Sequence, residues 1–192
     1  MSIPSDQNLE KMNWFNQPKS WEIKDHTLIM FPKPKSDFWR KTHYGFTFDN
    51  GSFYFTKCKQ DFEVTVKITG EYQTQYDQMG IMIRIDEKIW VKTGIEYVNN
   101  QINISAVVTH DTSDWSMIKL NSSPQSVWIK VIRESDTLEI YYSLDNKSYQ
   151  MMRLAYFPEN KSCMVGLMAA SPKGNGFKAV FEEFALKEKN HV

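Results

Sequence analysis

Arg84, Trp90, Lys92 and Glu96 stand at alternating positions in two neighbouring apolar segments, a spacing that can gather them on one surface. Across residues 78–85, Met79, Ile81, Ile83 and Ile85 make one alternating set, and Gln78, Gly80, Met82 and Arg84 make the other. Residues 89–97 repeat the split, with Ile89, Val91 and Ile95 set against Trp90, Lys92, Gly94 and Glu96. Residues 102–110 set Asn103, Ser105, Val107 and Thr109 against Ile102, Ile104, Ala106 and Val108. Successive side chains on a strand point to opposite faces, so each polar set shares a direction. If the three strands pair in sequence order, Arg84, Trp90, Lys92, Glu96 and Ser105 meet on one sheet face. An aromatic plate among fixed charges suits a sugar, whose ring offers an apolar face for stacking and hydroxyls for hydrogen bonds. Trp90 is then expected to stack, Arg84 and Lys92 to donate, and Glu96 to accept. Oppositely charged neighbours across strands are equally an ordinary stabilising feature of a solvated sheet face.

Two further segments can border that face. Residues 37–45 collect Phe38, Trp39, Arg40, Lys41, His43 and Tyr44 and read as a loop. Residues 112–116 set Trp115 between polar residues at an expected turn. Trp39, His43 and Trp115 are therefore candidate rim residues, because functional contacts concentrate on loops. Tryptophans in sandwiches also plug sheet edges, which is the alternative for both indoles.

The catalytic templates fit poorly. Glycoside hydrolysis by the usual route needs two carboxylates across one cleft. No Glu-x-Asp-x-Glu strand, which would point three carboxylates one way, occurs here. Glu96 has Gly94 and Val98 two residues to either side, so it is a weak catalytic candidate; Asp77 and Asp114 are the carboxylates a fold could bring near it. The four histidines, His26, His43, His110 and His191, are scattered. His110 with Asp111 and Asp114 is better explained by turn-capping aspartates than by a metal, so no metal site is expected. No glycine-rich phosphate loop, nucleophile elbow or Cys-x-x-Cys pair is present, and no cofactor is expected.

Composition narrows the partners. The chain has 192 residues with 23 basic and 23 acidic side chains, a balance that gains little from releasing counterions on a phosphate backbone, so nucleic acid is not expected. No apolar run approaches the roughly 20 residues that span a bilayer, and no basic n-region precedes an apolar stretch at the start, so the expectation is a cytoplasmic protein without a membrane partner. Cys58 and Cys163 are then expected as buried free thiols.

The elements that must position these residues read as strands. Phe62, Val64, Val66 and Ile68 alternate with Glu63, Thr65, Lys67 and Thr69, the period of a half-buried strand. Similar runs cover residues 127–132, 138–143, 165–170 and 177–186, with fraying expected beyond, and residues 21–23 and 28–31 make an opening hairpin. Short turns such as Asn99-Asn100-Gln101 and Asp145-Asn146-Lys147 suit antiparallel neighbours. Few residues remain for the helices that parallel sheets require. The expectation is an all-β, antiparallel sandwich forming a single domain over 1–192, with its core at about 12–187.

A family resemblance enters through several short motifs. Asp37-Phe38-Trp39-Arg40, Tyr44-Gly45, Tyr76-Asp77-Gln78-Met79-Gly80, Trp90-Val91-Lys92-Thr93-Gly94-Ile95-Glu96 and Ser113-Asp114-Trp115-Ser116 occur in the order of the regulation-of-enolase family. Arg133, Ser143-Leu144-Asp145 and Arg153 also resemble its pattern, and the likeness runs from about Trp14 to Leu186. The resemblance implies a concanavalin A-like jelly roll, the fold of many lectins and glucanases, and implies no particular reaction. With the polar face, it leads to a non-catalytic module for a small sugar or sugar-derived metabolite. The alternatives are a regulatory domain whose aromatic residues dock on a metabolic enzyme, and a sugar-active enzyme in which Glu96 is general acid or base and Lys92 tunes it.

Overall fold

The computed structural model describes residues 9–159 and 161–189. After a short 3-10 turn at Leu9–Lys11 come β1 (Asn13–Phe15), β2 (Ser20–Lys24), β3 (Thr27–Phe31), β4 (Phe38–Arg40) and β5 (Thr47–Asp49). Next follow β6 (Ser52–Cys58), β7 (Phe62–Gly70), β8 (Gln78–Arg84), β9 (Ile89–Val98), β10 (Gln101–His110) and β11 (Thr112–Lys119). The last are β12 (Val127–Glu134), β13 (Thr137–Ser143), β14 (Gln150–Tyr156), β15 (Cys163–Ala170) and β16 (Ala179–Glu188).

They form two seven-stranded sheets, in the orders β1-β6-β15-β8-β9-β10-β11 and β14-β13-β12-β7-β16-β3-β2, plus a small β4-β5 hairpin. Neighbouring strands are antiparallel throughout. Tight turns link many of them: Asp25 and His26 (φ 49° and 59°), like Asn99 and Asn100 (φ 53° and 60°), adopt the left-handed pairs that match hairpin twist. The architecture is the expected antiparallel two-sheet sandwich of concanavalin A-like jelly-roll type.

The main core lies between the sheets. Phe62, Val64, Val66 and Ile68 share it with Ile81, Ile83, Val91 and Ile104, each at most 1% exposed. Each such side chain removed from water contributes about 1.5–3 kcal/mol. A second apolar layer covers the opposite face of the first sheet, where Phe38 of the hairpin packs with Phe53, Met82, Trp90, Val107 and Met168. β8 and much of β9 and β10 are therefore buried on both faces.

Several elements depart from those expected. Residues 37–45 are not a plain loop: they contain β4 and the turn leading to β5. Trp115 lies within β11, not at a turn, as the register partner of Val107. β6 was hidden because Phe53 and Tyr54 are both buried, one on each face, so no polar alternation marks it. In β14, Met151, Leu154 and Tyr156 point outward with 52%, 60% and 59% exposure, which inverts the usual pattern. β16 runs past the expected end, with a bulge between Glu182 and Ala185 where Glu183 takes φ 53°.

Candidate functional site

The site grows from the outer face of the first sheet. β8 and β9 bring Arg84 opposite Trp90, Met82 opposite Lys92, Gly80 opposite Gly94 and Gln78 opposite Glu96. β10 adds Val107 beside Lys92 and Ser105 beside Gly94, and β11 sets Trp115 beside Val107. The two glycines are required by backbone proximity. A Cβ at Gly80 would stand 2.0 Å from the Thr93 carbonyl oxygen, and one at Gly94 would stand 2.1 Å from that of Met79. No side chain rises from this part of the floor. A recess of about 10 Å³ opens there beside Ser105 and Glu96, room for about one water molecule.

The β4-β5 hairpin closes over this floor, and two buried cations hold it down. Arg84 donates from Nη1 and Nη2 to Asp49 Oδ1 and Oδ2 at 2.6 and 2.8 Å. The Lys92 ammonium donates to Phe38 O at 2.7 Å, Gln78 Oε1 at 2.5 Å and Asp37 Oδ1 at 3.3 Å. These three partners use all three of its protons. Between the two cations the Trp90 ring meets Phe38 edge-on, with centroids 6.2 Å apart. Further along, the Arg40 amide donates to Ser113 Oγ, and the Arg40 and Lys41 side chains pair with Asp111.

Between hairpin and sheet lies a cavity of about 300 Å³, at the small end of the range for ligand pockets. Its walls are aromatic: Trp39, Tyr44, Phe46 and Phe48 from the hairpin side, Tyr76 from the loop before β8, and Trp115 from β11. Tyr44 stacks on Phe46 at 5.1 Å and 10°, and Phe46 meets Phe48 edge-on at 5.0 Å. The Tyr44 phenol is held above its ordinary pKa first by a hydrogen bond with the Tyr76 side chain and then by burial.

Glu96 is the distinctive polar group of the cavity. It is only 8% exposed, and burial pushes its carboxyl pKa upward against the opposing pull of the Lys92 charge and the Ser105 hydrogen bond; the Asp37 charge adds to the rise. Ser105 Oγ donates to Glu96 Oε2 at 2.8 Å, and Trp115 Nε1 donates to Ser105 Oγ at 3.0 Å. This chain of donors fixes the carboxylate while leaving it at the cavity wall, where it can accept from a hydroxyl.

Of the expected site residues, Lys92, Glu96, Trp39 and Trp115 line the cavity. Arg84 and Trp90 do not, being 4% and 1% exposed beneath the hairpin. The roles expected of them are corrected accordingly: Trp90 has no free ring face to stack on, and Arg84 spends its guanidinium on Asp49. Lys92 touches the cavity without a spare donor. His43, at φ 63° in the hairpin turn, lies against Tyr44 with ring centroids 4.7 Å apart and outside the cavity lining.

The carboxylate that accompanies Glu96 at the cavity is Asp37. Asp77 is consumed by the Gln73 and Thr74 amides and the Thr74 and Ser171 hydroxyls, while Asp114 faces solvent and pairs with Arg153. The reading of the sequence missed Tyr44, Phe46 and Phe48 as a wall. Of the three only Phe48 lies in a strand, β5, while Tyr44 sits in the hairpin turn and Phe46 just before β5, so strand alternation did not mark them. Among the described residues, no group of three or more His, Cys, Asp or Glu side chains could hold a metal ion.

Comparison with known proteins fits this architecture. Residues 14–189 match the model of a family described as "Protein of unknown function (DUF1349)". "Regulation of enolase protein 1" of Saccharomyces cerevisiae is 38% identical over 178 residues, 93% of this chain and 90% of that one. A crystal structure of a functionally unknown protein from the same yeast superposes with TM-score 0.91 and 36% identity, covering 96% of this chain and all of that one. The carbohydrate-binding module CBM66 of Bacillus subtilis shares the fold at TM-score 0.59 and 13% identity, over 93% of this chain and 98% of that one. The chain belongs to the DUF1349 family and is a relative of yeast Regulation of enolase protein 1.

Proposed function

We propose that this protein is a non-catalytic cytoplasmic module that binds a small sugar or sugar-derived metabolite between the β4-β5 hairpin and the first sheet. The observation that carries the reading is Glu96, a buried carboxylate fixed by the Ser105–Trp115 donor chain at the wall of an otherwise aromatic cavity. Burying a charge costs free energy, and a hydroxylated ligand returns hydrogen bonds to it. The rings beside it supply faces for the apolar side of a sugar ring. A carbohydrate-binding module is built on the same fold, which fits this reading without carrying it.

Calorimetric titration with a panel of monosaccharides and their acids and phosphates tests the proposal. A binder is expected whose affinity falls about 10- to 100-fold in Glu96→Gln, the worth of a hydrogen bond to a charged group. If no member of the panel binds, or if Glu96→Gln binds as tightly, the proposal fails.

A second reading draws on the same hairpin aromatics, which stay partly exposed at the cavity. Tyr44, Phe46 and Phe48 are 47%, 40% and 39% exposed, and contiguous aromatics of this kind anchor protein interfaces. The relative's name directs this reading to a metabolic enzyme as partner. Purified enolase retained on the immobilised protein, and released by Phe46→Ser, would favour it. Retention unaffected by that substitution, or absent altogether, would dismiss it.

A further inference from the structure

We infer that the ligand of this cavity carries an anionic group, a phosphate or a carboxylate, seated at the end where Lys35 and Lys173 meet; the inference rests on the sugar-binding reading above. The charges of the cavity divide into two groups. Lys92 is neutralised within the protein by Asp37, at 3.3 Å. Lys35 and Lys173 also line the cavity, and neither has a carboxylate within ion-pair distance among the described residues.

Their proximity is built into the fold. Pro34 and Ser171 form a parallel bridge, the Ser171 amide donates to Ser36 Oγ at 3.1 Å, and the Lys35 amide donates to Gly174 O at 3.3 Å. Lys35 itself adopts φ 55°, and its ammonium donates to the Lys173 carbonyl oxygen. Both lysines are exposed, and because they line one end of the cavity without a protein counter-charge they make that end positive and open to an anion.

The sheet order supplies the spacing. Lys173 follows β15, Glu96 is on β9 and Trp115 on β11, in the order β15-β8-β9-β10-β11. Glu96 thus stands two strands from either side, about 10 Å at the spacing of paired strands. A ligand matching both ends has a hydroxylated body over Glu96 and Trp115 and its negative charge towards the lysines. Phosphorylated sugars and sugar acids have that form.

The test is calorimetry on matched probes: glucose, fructose and mannose against their 6-phosphates, and glucose against glucuronate. Measurements at low salt and at about 0.5 M salt expose the screened, electrostatic part of binding. The expected result is at least a ten-fold advantage for an anionic member of one pair. That advantage should shrink at high salt and vanish in a Lys35→Met/Lys173→Met double variant. The phosphate and carboxylate arms identify which group is held. Glu96-dependent binding of a neutral sugar with no advantage for its anionic partner would overturn this inference and leave the cavity reading standing. An advantage that persists in the double variant would also overturn it. Failure of every probe to bind would overturn both.

Discussion

Asp49 of β5 receives both arms of the Arg84 guanidinium, and through this pair the sheet holds the aromatic hairpin in place. The partners are unequally buried: the Arg84 side chain is 4% exposed and that of Asp49 31%. Removing one member of a pair costs most when the survivor stays buried and unpaired. Asp49→Ala strands Arg84 in the interior, whereas Arg84→Met leaves Asp49 free to rehydrate. Urea unfolding should therefore give a loss of about 3 kcal/mol for Asp49→Ala and markedly less for Arg84→Met. Equal losses would mean that Arg84 is better solvated than its surroundings imply.

Glu96 should make the protein less stable at neutral pH than it is in mild acid. Burial raises its folded pKa above the unfolded value, so between the two the native state binds more protons. Stability contributed through this group falls as pH rises across that window and is flat above it. The charges facing it are Lys92, which lowers the pKa, and Asp37, which raises it. Glu96→Gln should therefore be more stable than the parent at pH 7, with the difference closing towards pH 4, while ligand binding weakens about 10- to 100-fold. A variant that is both less stable at pH 7 and able to bind as tightly as the parent would contradict the assignment. A residue that costs stability yet supports binding follows the usual trade between the two.

Trp115 should matter through its N–H as well as its ring. Trp115→Phe keeps an aromatic surface on the cavity and deletes the donor to Ser105 Oγ. One hydrogen bond of this kind is worth about 1 kcal/mol of stability. Thermal unfolding should show a loss of that size, and calorimetry should show weaker ligand binding, since the Ser105 hydroxyl is then free to turn from Glu96. An unchanged affinity would confine Trp115 to a packing role.

The two thiols should be inert in the native protein. Cys58 and Cys163 are register partners on β6 and β15, 1% and 2% exposed, and burial pushes their pKa values to about 12 and about 11. The thiolate is the reactive form, so a disulfide reagent at pH 8 should modify neither until urea unfolds the chain, and then both. Fast modification of one thiol in native conditions would show that the β6-β15 edge opens locally.

The sequence displayed the floor of the site far better than its roof. Alternation in residues 78–110 was enough to align Lys92, Glu96 and Ser105 on one face, because that pattern depends only on strand geometry. It carried no information about what covers the face. Arg84 and Trp90 look identical in pattern to Lys92 and Glu96, yet Phe38, Asp49 and the rest of the hairpin lie on them. Their separation from the binding surface depends on pairing between residues about 35 to 55 apart in the chain, which periodicity does not record. The acid partner of Glu96 was missed for the same reason: Asp37 arrives with the hairpin, whereas Asp77 and Asp114, nearer in sequence, face other groups. Strands buried on both faces, such as β6, also lose the alternation that marks half-buried ones.

The central claim, that a ligand sits between hairpin and sheet, is tested most directly by nitrogen–proton correlation spectra of the indole side chains during titration. The chain has six tryptophans, each with one indole N–H. Only Trp39 and Trp115 line the cavity, and their N–H groups bond to Thr42 O and Ser105 Oγ. The account predicts that a bound sugar or sugar phosphate shifts those two resonances and leaves Trp14, Trp21 and Trp128 in place. A saturating ligand that moves Trp21 or Trp128 while Trp39 and Trp115 stay still would contradict it.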